Sequence, residues 1–189
     1  MTLLKIEYNF CPQCGHTLSK ALISGCLREQ CPACSFVHWG EFSLGVGGVL
    51  WRDGKVLLVQ RAHNPGQGAW TIPGGYVDQD EKAAEAAARE IREETGVNSE
   101  AVSLIAVRDR PGNKHDAYLV FLMRDLGGEP RSDEEEVSGV GFFTLEECRE
   151  LNVATLTLSV LQASLKAKEG LCKVEGIKLI GNQSELYQV

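Results

Sequence analysis

The run EKAAEAAAREIREETG, residues 81 to 96, narrows the fold of this chain more than any other stretch. Alanines at 83, 84, 86, 87 and 88, with Ile91, favour helix and permit close packing against a neighbour. A helix is therefore predicted from about Glu81 to Thr95, with Gly96 as its natural stop. Within two turns it carries three carboxylates, Glu90, Glu93 and Glu94. Like charges three and four residues apart cost a helix roughly a few tenths of a kcal/mol per pair. At about 100° per residue, all three fall within an arc of about 100°, with Arg89 beside it and Arg92 pointing away. Such a face is either a solvated acidic surface or a seat for a hard divalent cation, for which Mg²⁺ and Mn²⁺ suit carboxylate and phosphate oxygens.

The approach to the helix favours the second reading. Pro73-Gly74-Gly75 leads directly towards it. Glycines let backbone come close to a ligand, and exposed N–H groups can meet phosphate. A glycine loop feeding an acidic helix is a plausible place for metal-assisted phosphoryl chemistry.

Strand patterns surround this unit. FSLGVGGVL (42 to 50) and KVLLVQR (55 to 61) flank Arg52-Asp53-Gly54, and Asp-Gly between apolar runs signals a hairpin. VSLIAVR (102 to 108), AYLVFLM (117 to 123) and VGFF (140 to 143) read as further strands. Thr144, with Glu147 three residues on, has capping-box spacing for a helix beginning at TLEEC, and residues 155 to 169 form a second C-terminal helix. KVEGIKLIG, in the tail, reads as one more strand or hairpin. The whole is a mixed α/β pattern with strands on both sides of one central helix.

The first forty residues obey a different logic. Cys11-x-x-Cys14 and Cys31-x-x-Cys34 are separated by sixteen residues. Two such turns complete a tetrahedral sulfur site for Zn²⁺, and so short a segment needs a metal to fold. Cys26, Cys148 and Cys172 stand apart from the pairs, and His16 and His38 lie near them. Seven cysteines without an export signal point to a reducing, cytoplasmic setting. A net charge of −7 argues against a general nucleic-acid or membrane surface, and no apolar run approaches the roughly 20 residues that span a bilayer.

Residues 75 to 97, GYVDQDEKAAEAAAREIREETGV, resemble the Nudix box. The match runs through Gly75, Glu81, Arg89, Glu90, Ile91, Glu93, Glu94, Gly96 and Val97 without departure. The likeness extends from about Phe42 to Glu147, including Trp70-Thr-Ile-Pro-Gly-Gly before the box and Gln60-Arg61 at the end of the hairpin. The resemblance implies a mixed-sheet αβα sandwich that hydrolyses a nucleoside diphosphate linked to another moiety, X, with Mg²⁺ or Mn²⁺. It implies metal ligation by Glu90, Glu94 and the Gly74 carbonyl, with Gly75, Glu81 and Arg89 in support. Glu93 assists the site or pairs with Arg89. A glutamate from a distal loop binds metal or acts as base, and Glu136 fits best, with Glu134 and Glu135 as rivals; the carboxylate that takes the proton from the attacking water is Glu94 or Glu136. Arg61, Trp70 and Tyr76 are candidates for substrate contact, and Phe142 is a further aromatic that suits a base.

The expected organisation is a zinc ribbon (1–40), a Nudix domain (41–169) and a tail (170–189). A zinc ribbon ahead of a Nudix domain resembles NADH pyrophosphatases and their relatives, but their downstream Ser-Gln-Pro-Trp-Pro-Phe-Pro signature is absent. Pro111, about fifteen residues past the box, resembles the ADP-ribose pyrophosphatase group. ADP-ribose or a dinucleotide such as NADH or FAD is thus the expected substrate. The rivals are a hydrolase of nucleotide caps on RNA, and a non-catalytic sensor acting through its zinc ribbon. Family members are often dimers, so a homodimer is compatible with the resemblance.

Overall fold

The computed structural model describes residues 8–166, 170–173 and 187–188. The chain divides into two compact units, one of Met1–Ser43 with Asp109–Asp116, the other of Leu44–Arg108 with Ala117–Val189.

The smaller unit holds the four paired cysteines and a hairpin, β1 (Ser19–Ile23) against β2 (Cys26–Gln30). Its two-residue turn, Ser24-Gly25, has φ of 49° and 78°, the double left-handed geometry that matches strand twist. The mixed polarity of these two strands hides them in the sequence. Segment 109–116 adds its own contacts within this unit. Ser43 Oγ donates to Asp116 Oδ1 at 2.7 Å, and the Phe42 and His115 rings stack at 5.6 Å.

The larger unit is a sheet with helices on both faces. In chain order the remaining elements are β3 (Glu41–Arg52), β4 (Lys55–Arg61), β5 (Trp70–Thr71), α1 (Ala83–Thr95), β6 (Ser99–Arg110), β7 (Lys114–Asp125), β8 (Val137–Phe143), α2 (Leu145–Glu150), α3 (Thr155–Lys166), β9 (Leu171–Lys173) and β10 (Tyr187–Gln188). The sheet order is β10-β9-β6-β7-β3-β4-β5, with β8 also paired to β4. The Asp53-Gly54 turn closes β3 on β4 with Arg52 opposite Lys55, as the Asp-Gly signal requires.

Side chains of adjacent strand residues point to opposite faces, and here both faces are covered. Val46, Leu50, Leu57, Phe121 and Met123 pack on Ala86, Ala87 and Ile91 of α1. Val49, Val56, Leu58 and Val120 pack on Cys148, Val160 and Leu161 from α2 and α3. This is why VLLV in β4 is an unbroken apolar run instead of an alternating one. Gly48 shows how tightly α1 sits: a Cβ there would come within 2.5 Å of Ile91 Cδ1. Cys148 is buried and Cys172 exposed.

Helix α1 begins at Ala83, two residues later than the sequence suggested. Glu81 belongs to the turn before it, where its carboxylate accepts the Asp78 N–H at 2.9 Å. Gly96 ends the helix at φ 71°, its N–H bonded to the Arg92 carbonyl. Thr144 and Glu147 form the expected capping box on α2. Beyond Lys173, the strand expected over KVEGIKLIG falls outside the described residues. Among the described residues, no helix is long and apolar enough to cross a membrane.

Candidate active site and metal centres

In the smaller unit each cysteine pair is held by its own backbone. The Cys11 N–H donates to the His16 carbonyl at 2.8 Å, the Gly15 N–H to the Cys11 carbonyl at 2.8 Å, and the Cys31 N–H to the Phe36 carbonyl at 2.9 Å. Gly15, at φ 75°, makes the first turn. All four Sγ atoms lie within 4.8 Å of one another, with separations of 3.5 Å for Cys14–Cys31, 3.6 Å for Cys11–Cys34 and 3.7 Å for Cys14–Cys34. A tetrahedral zinc with bonds of about 2.3 Å requires sulfurs about 3.8 Å apart, so the cluster has the dimensions of a zinc site. His38 is bonded instead to the buried Glu29, at 3.2 Å, and Cys26 is exposed.

The larger unit contains a cavity of about 590 Å³ lined by the glycine loop, the acidic face of α1 and the loop before β8. The glycine loop is stitched to β3: Gly48 N–H donates to the Pro73 carbonyl at 3.0 Å and Val46 N–H to the Gly75 carbonyl at 2.8 Å. Between them, Gly74 takes φ 157°, and a Cβ there would lie 2.1 Å from the Val46 carbonyl oxygen. Its N–H donates to Glu94 Oε2 at 2.9 Å. At Gly75 a Cβ would meet Glu90 Oε1 at 2.5 Å. Gly74 is thus demanded by the approach of the β3 backbone, whereas a side chain at Gly75 would push the Glu90 carboxylate aside.

Arg89 binds several of the acids. It grips Glu81 with two bonds, of 2.7 and 3.0 Å, donates to Glu90 Oε1 and Glu93 Oε2 at 2.9 Å each, and reaches the Tyr76 carbonyl at 3.1 Å. The Arg89 guanidinium therefore holds Glu81 below the usual carboxylate range. Glu90 and Glu94 are different: they are only 8% and 7% exposed. Burial pushes the Glu94 carboxyl up to about 8, the Gly74 N–H partly opposes this, and the charges of Glu90, Glu136 and Asp133 reinforce it. Burial also raises Glu90, against the pull of Arg89. Two buried acids one turn apart, both resisting ionisation, have the chemistry of a pair completed by a hard cation.

Of the residues singled out from the sequence, Gly74, Gly75, Arg89, Glu90, Glu93, Glu94, Glu136, Arg61 and Tyr76 border the cavity. So does Glu135, but among the lining residues Glu134 is absent. Glu81 stands behind Arg89. Trp70 does not border it; its ring meets Phe143 edge-on at 4.8 Å. Phe142 carries the Arg52 guanidinium at 4.5 Å.

Three neighbours escaped the sequence reading. His63 lines the cavity, as does Asp133. Tyr118 lies beneath the glycine loop, its hydroxyl 2.8 Å from where a Gly74 Cβ would sit, and burial with the nearby Glu94 charge raises its pKa. No local motif marks Tyr118, which shares its strand pattern with ordinary core residues.

Comparison with known proteins adds the family context. The NUDIX domain profile matches residues 41–162. An ADP-ribose pyrophosphatase from Methanocaldococcus jannaschii is 36% identical over 96 residues, covering 49% of this chain and 57% of that protein. An NAD-capped RNA hydrolase, NudC, from Stutzerimonas stutzeri is 30% identical over 140 residues, 74% of this chain and 49% of that protein. The chain thus spans roughly half the length of these curated relatives. Among solved structures, a NUDIX hydrolase from Nitrosomonas europaea superposes with a TM-score of 0.76 at 27% identity, covering 85% of this chain and 92% of the other.

Proposed function

Since the chain belongs to the Nudix family, we propose that it is a metal-dependent pyrophosphohydrolase that cleaves the diphosphate of a nucleoside diphosphate linked to X. ADP-ribose or a dinucleotide such as NADH or FAD is the preferred substrate. The observation that carries this reading is the pair Glu90 and Glu94, buried and resisting ionisation on the wall of a cavity of about 590 Å³. A buried acid pair that only destabilised the fold would be hard to retain, whereas a cation converts it into a binding site.

Glu90, Glu94 and the Gly74 carbonyl would hold Mg²⁺ or Mn²⁺, and Cys11, Cys14, Cys31 and Cys34 a structural Zn²⁺. A divalent cation there supplies neutralisation of the diphosphate and a more acidic water. Arg89 fixes the rotamers of Glu90 and Glu93 through its 2.9 Å bonds, with Glu81 anchoring it from behind. Glu136, on the facing loop, accepts the proton as water attacks phosphorus in line. Arg61 pairs with phosphate oxygens, and the exposed Tyr76 offers a ring to the base or to X. Support for a dinucleotide comes from the pyrophosphatase and NAD-cap hydrolase relatives. The latter similarity, over 140 residues, also favours a second reading, in which the same bond is cut in an NAD cap on RNA.

The test is a hydrolysis panel with Mg²⁺ or Mn²⁺: ADP-ribose, NADH, FAD, nucleoside triphosphates, diadenosine polyphosphates and NAD-capped RNA, beside Glu94→Gln. Release of AMP from ADP-ribose or a dinucleotide, lost in the variant, is the expected result. Nucleotide binding without any turnover would replace the enzyme with a sensor.

A further inference from the structure

The acidic loop before β8 carries its own scaffold. Asp133 Oδ1 accepts three successive backbone N–H groups, from Glu135 at 3.0 Å, Glu136 at 3.1 Å and Val137 at 3.1 Å. Glu134 takes φ 64°, a left-handed turn uncommon for a residue with a side chain, and so brings the chain back over the Asp133 carboxylate. Downstream, the Glu136 carbonyl accepts the Ala62 N–H at 3.0 Å, and Val137 is buried opposite Arg61 of β4. Glu136 is therefore held on both sides: by Asp133 through its N–H and by β4 through its carbonyl. Its side chain stays exposed on the cavity wall.

The charge of Asp133 is costly in this place, because it adds to an acidic wall that already contains Glu90, Glu94, Glu135 and Glu136. What it contributes in return is the three backbone bonds, which a side chain without an acceptor at that reach cannot make. Building on the hydrolase reading above, we propose that Asp133 is a positioning residue: it fixes the backbone of 135–137 so that the Glu136 carboxylate is presented to the cavity shared with Glu90 and Glu94. Asp133 touches no reacting atom and acts through Glu136.

The proposal is tested on the full chain with Asp133→Ala, Asp133→Asn and Glu136→Gln. Asparagine keeps the oxygen acceptor and loses the charge, so it separates the geometric role from an electrostatic one. Amide exchange followed by NMR is expected to quicken at Glu136 and Val137 in the alanine variant and stay near wild type in the asparagine variant. By the usual scale for groups that orient ligands from behind, Asp133→Ala lowers kcat about 10- to 100-fold with little change in KM. Asparagine restores most of that loss, and Asp133→Ala adds nothing once Glu136 is glutamine. Unchanged exchange in the alanine variant, or a loss that multiplies fully with that of Glu136→Gln, overturns the proposal. If the wild-type chain cleaves no member of the panel, the hydrolase reading fails by itself. Exchange, together with calorimetric titration by Mn²⁺ alone, then judges Asp133: quickened exchange and weaker Mn²⁺ binding in the alanine variant, with asparagine near wild type, uphold its placement of Glu136, and unchanged values overturn it.

Discussion

The two candidate metal centres handle charge in opposite ways. The cysteines lie on short knuckles whose own N–H and carbonyl groups close each turn, and their four sulfurs have nearly the spacing a tetrahedral ion needs. The carboxylates lie on a rigid helix across from two loops, share an arginine unequally, and leave two acids buried. A closed set of identical ligands suits a structural ion. An open, unequal set with an adjoining cavity suits an ion that must also meet a substrate. The difference teaches that ligand convergence marks a site that supports folding, and that charges held at an energetic cost mark one that supports chemistry.

The hardest blow to that contrast comes from the cysteines. Cys31→Ser is expected to abolish zinc retention, since structural zinc contributes on the order of 10 kcal/mol to the folding of such segments. Metal analysis should fall from one zinc per chain to none, and the dispersed resonances of 11–38 should collapse. Zinc retained at full occupancy would break the comparison outright.

Glu94→Gln separates the two sites most clearly. Activity should drop by about 10²- to 10⁴-fold, yet the metal-free chain should become more stable at pH 8, on the order of a few kcal/mol. The sign follows from the raised pKa. Below the unfolded value of about 4.5, both states hold the proton and Glu94 costs nothing. Between there and about 8 the folded state retains a proton that the unfolded state has lost, so stability falls with rising pH, and above about 8 the penalty is constant. Melting without added Mg²⁺ or Mn²⁺ across that window should slope downward for the wild type and flatten for the glutamine variant, and adding either cation should reduce the slope. A steeper slope in the variant would contradict the role given to burial.

Gly75→Ala asks less of the protein. Its Cβ would displace the Glu90 carboxylate, so Mn²⁺ affinity should weaken by about tenfold, the scale for disturbing a ligand's placement, while zinc content stays unchanged. Glu134→Gly is the mildest change. Relief of a left-handed residue offsets the entropy of glycine, so the melting temperature should move by no more than about 2 °C, equivalent to roughly 0.5 kcal/mol.

Much of the fold could be read from local pattern. The alanine helix, its Gly96 stop, the Asp-Gly hairpin and the Thr144–Glu147 cap are each decided by a few adjacent residues, and each appears as expected save that the helix starts two residues later. The Nudix box similarly placed Glu90 and Glu94 on one face. What resisted reading depends on residues brought together only by folding. The β1–β2 hairpin turns on Ser-Gly, a modest signal between strands of mixed polarity. Trp70 precedes the glycine loop by three residues, but strand pairing with β4 and contact with Phe143 decide where its ring lies. Nothing local marks Asp133, because the bonds that distinguish it require Glu134 to adopt a left-handed turn.

Strand β4 has a consequence in time. It bonds to β8 along one side and, on the other, to β3 at Lys55–Val56 and to β5 at Val59–Gln60, while Val56 and Leu58 enter one apolar layer and Leu57 the other. A strand so placed cannot detach without opening both layers, so its amides should exchange only through global unfolding. Val59, at 1% exposure, belongs to this strand and also borders the cavity. The part of the cavity wall that Val59 supplies therefore lasts as long as the fold itself.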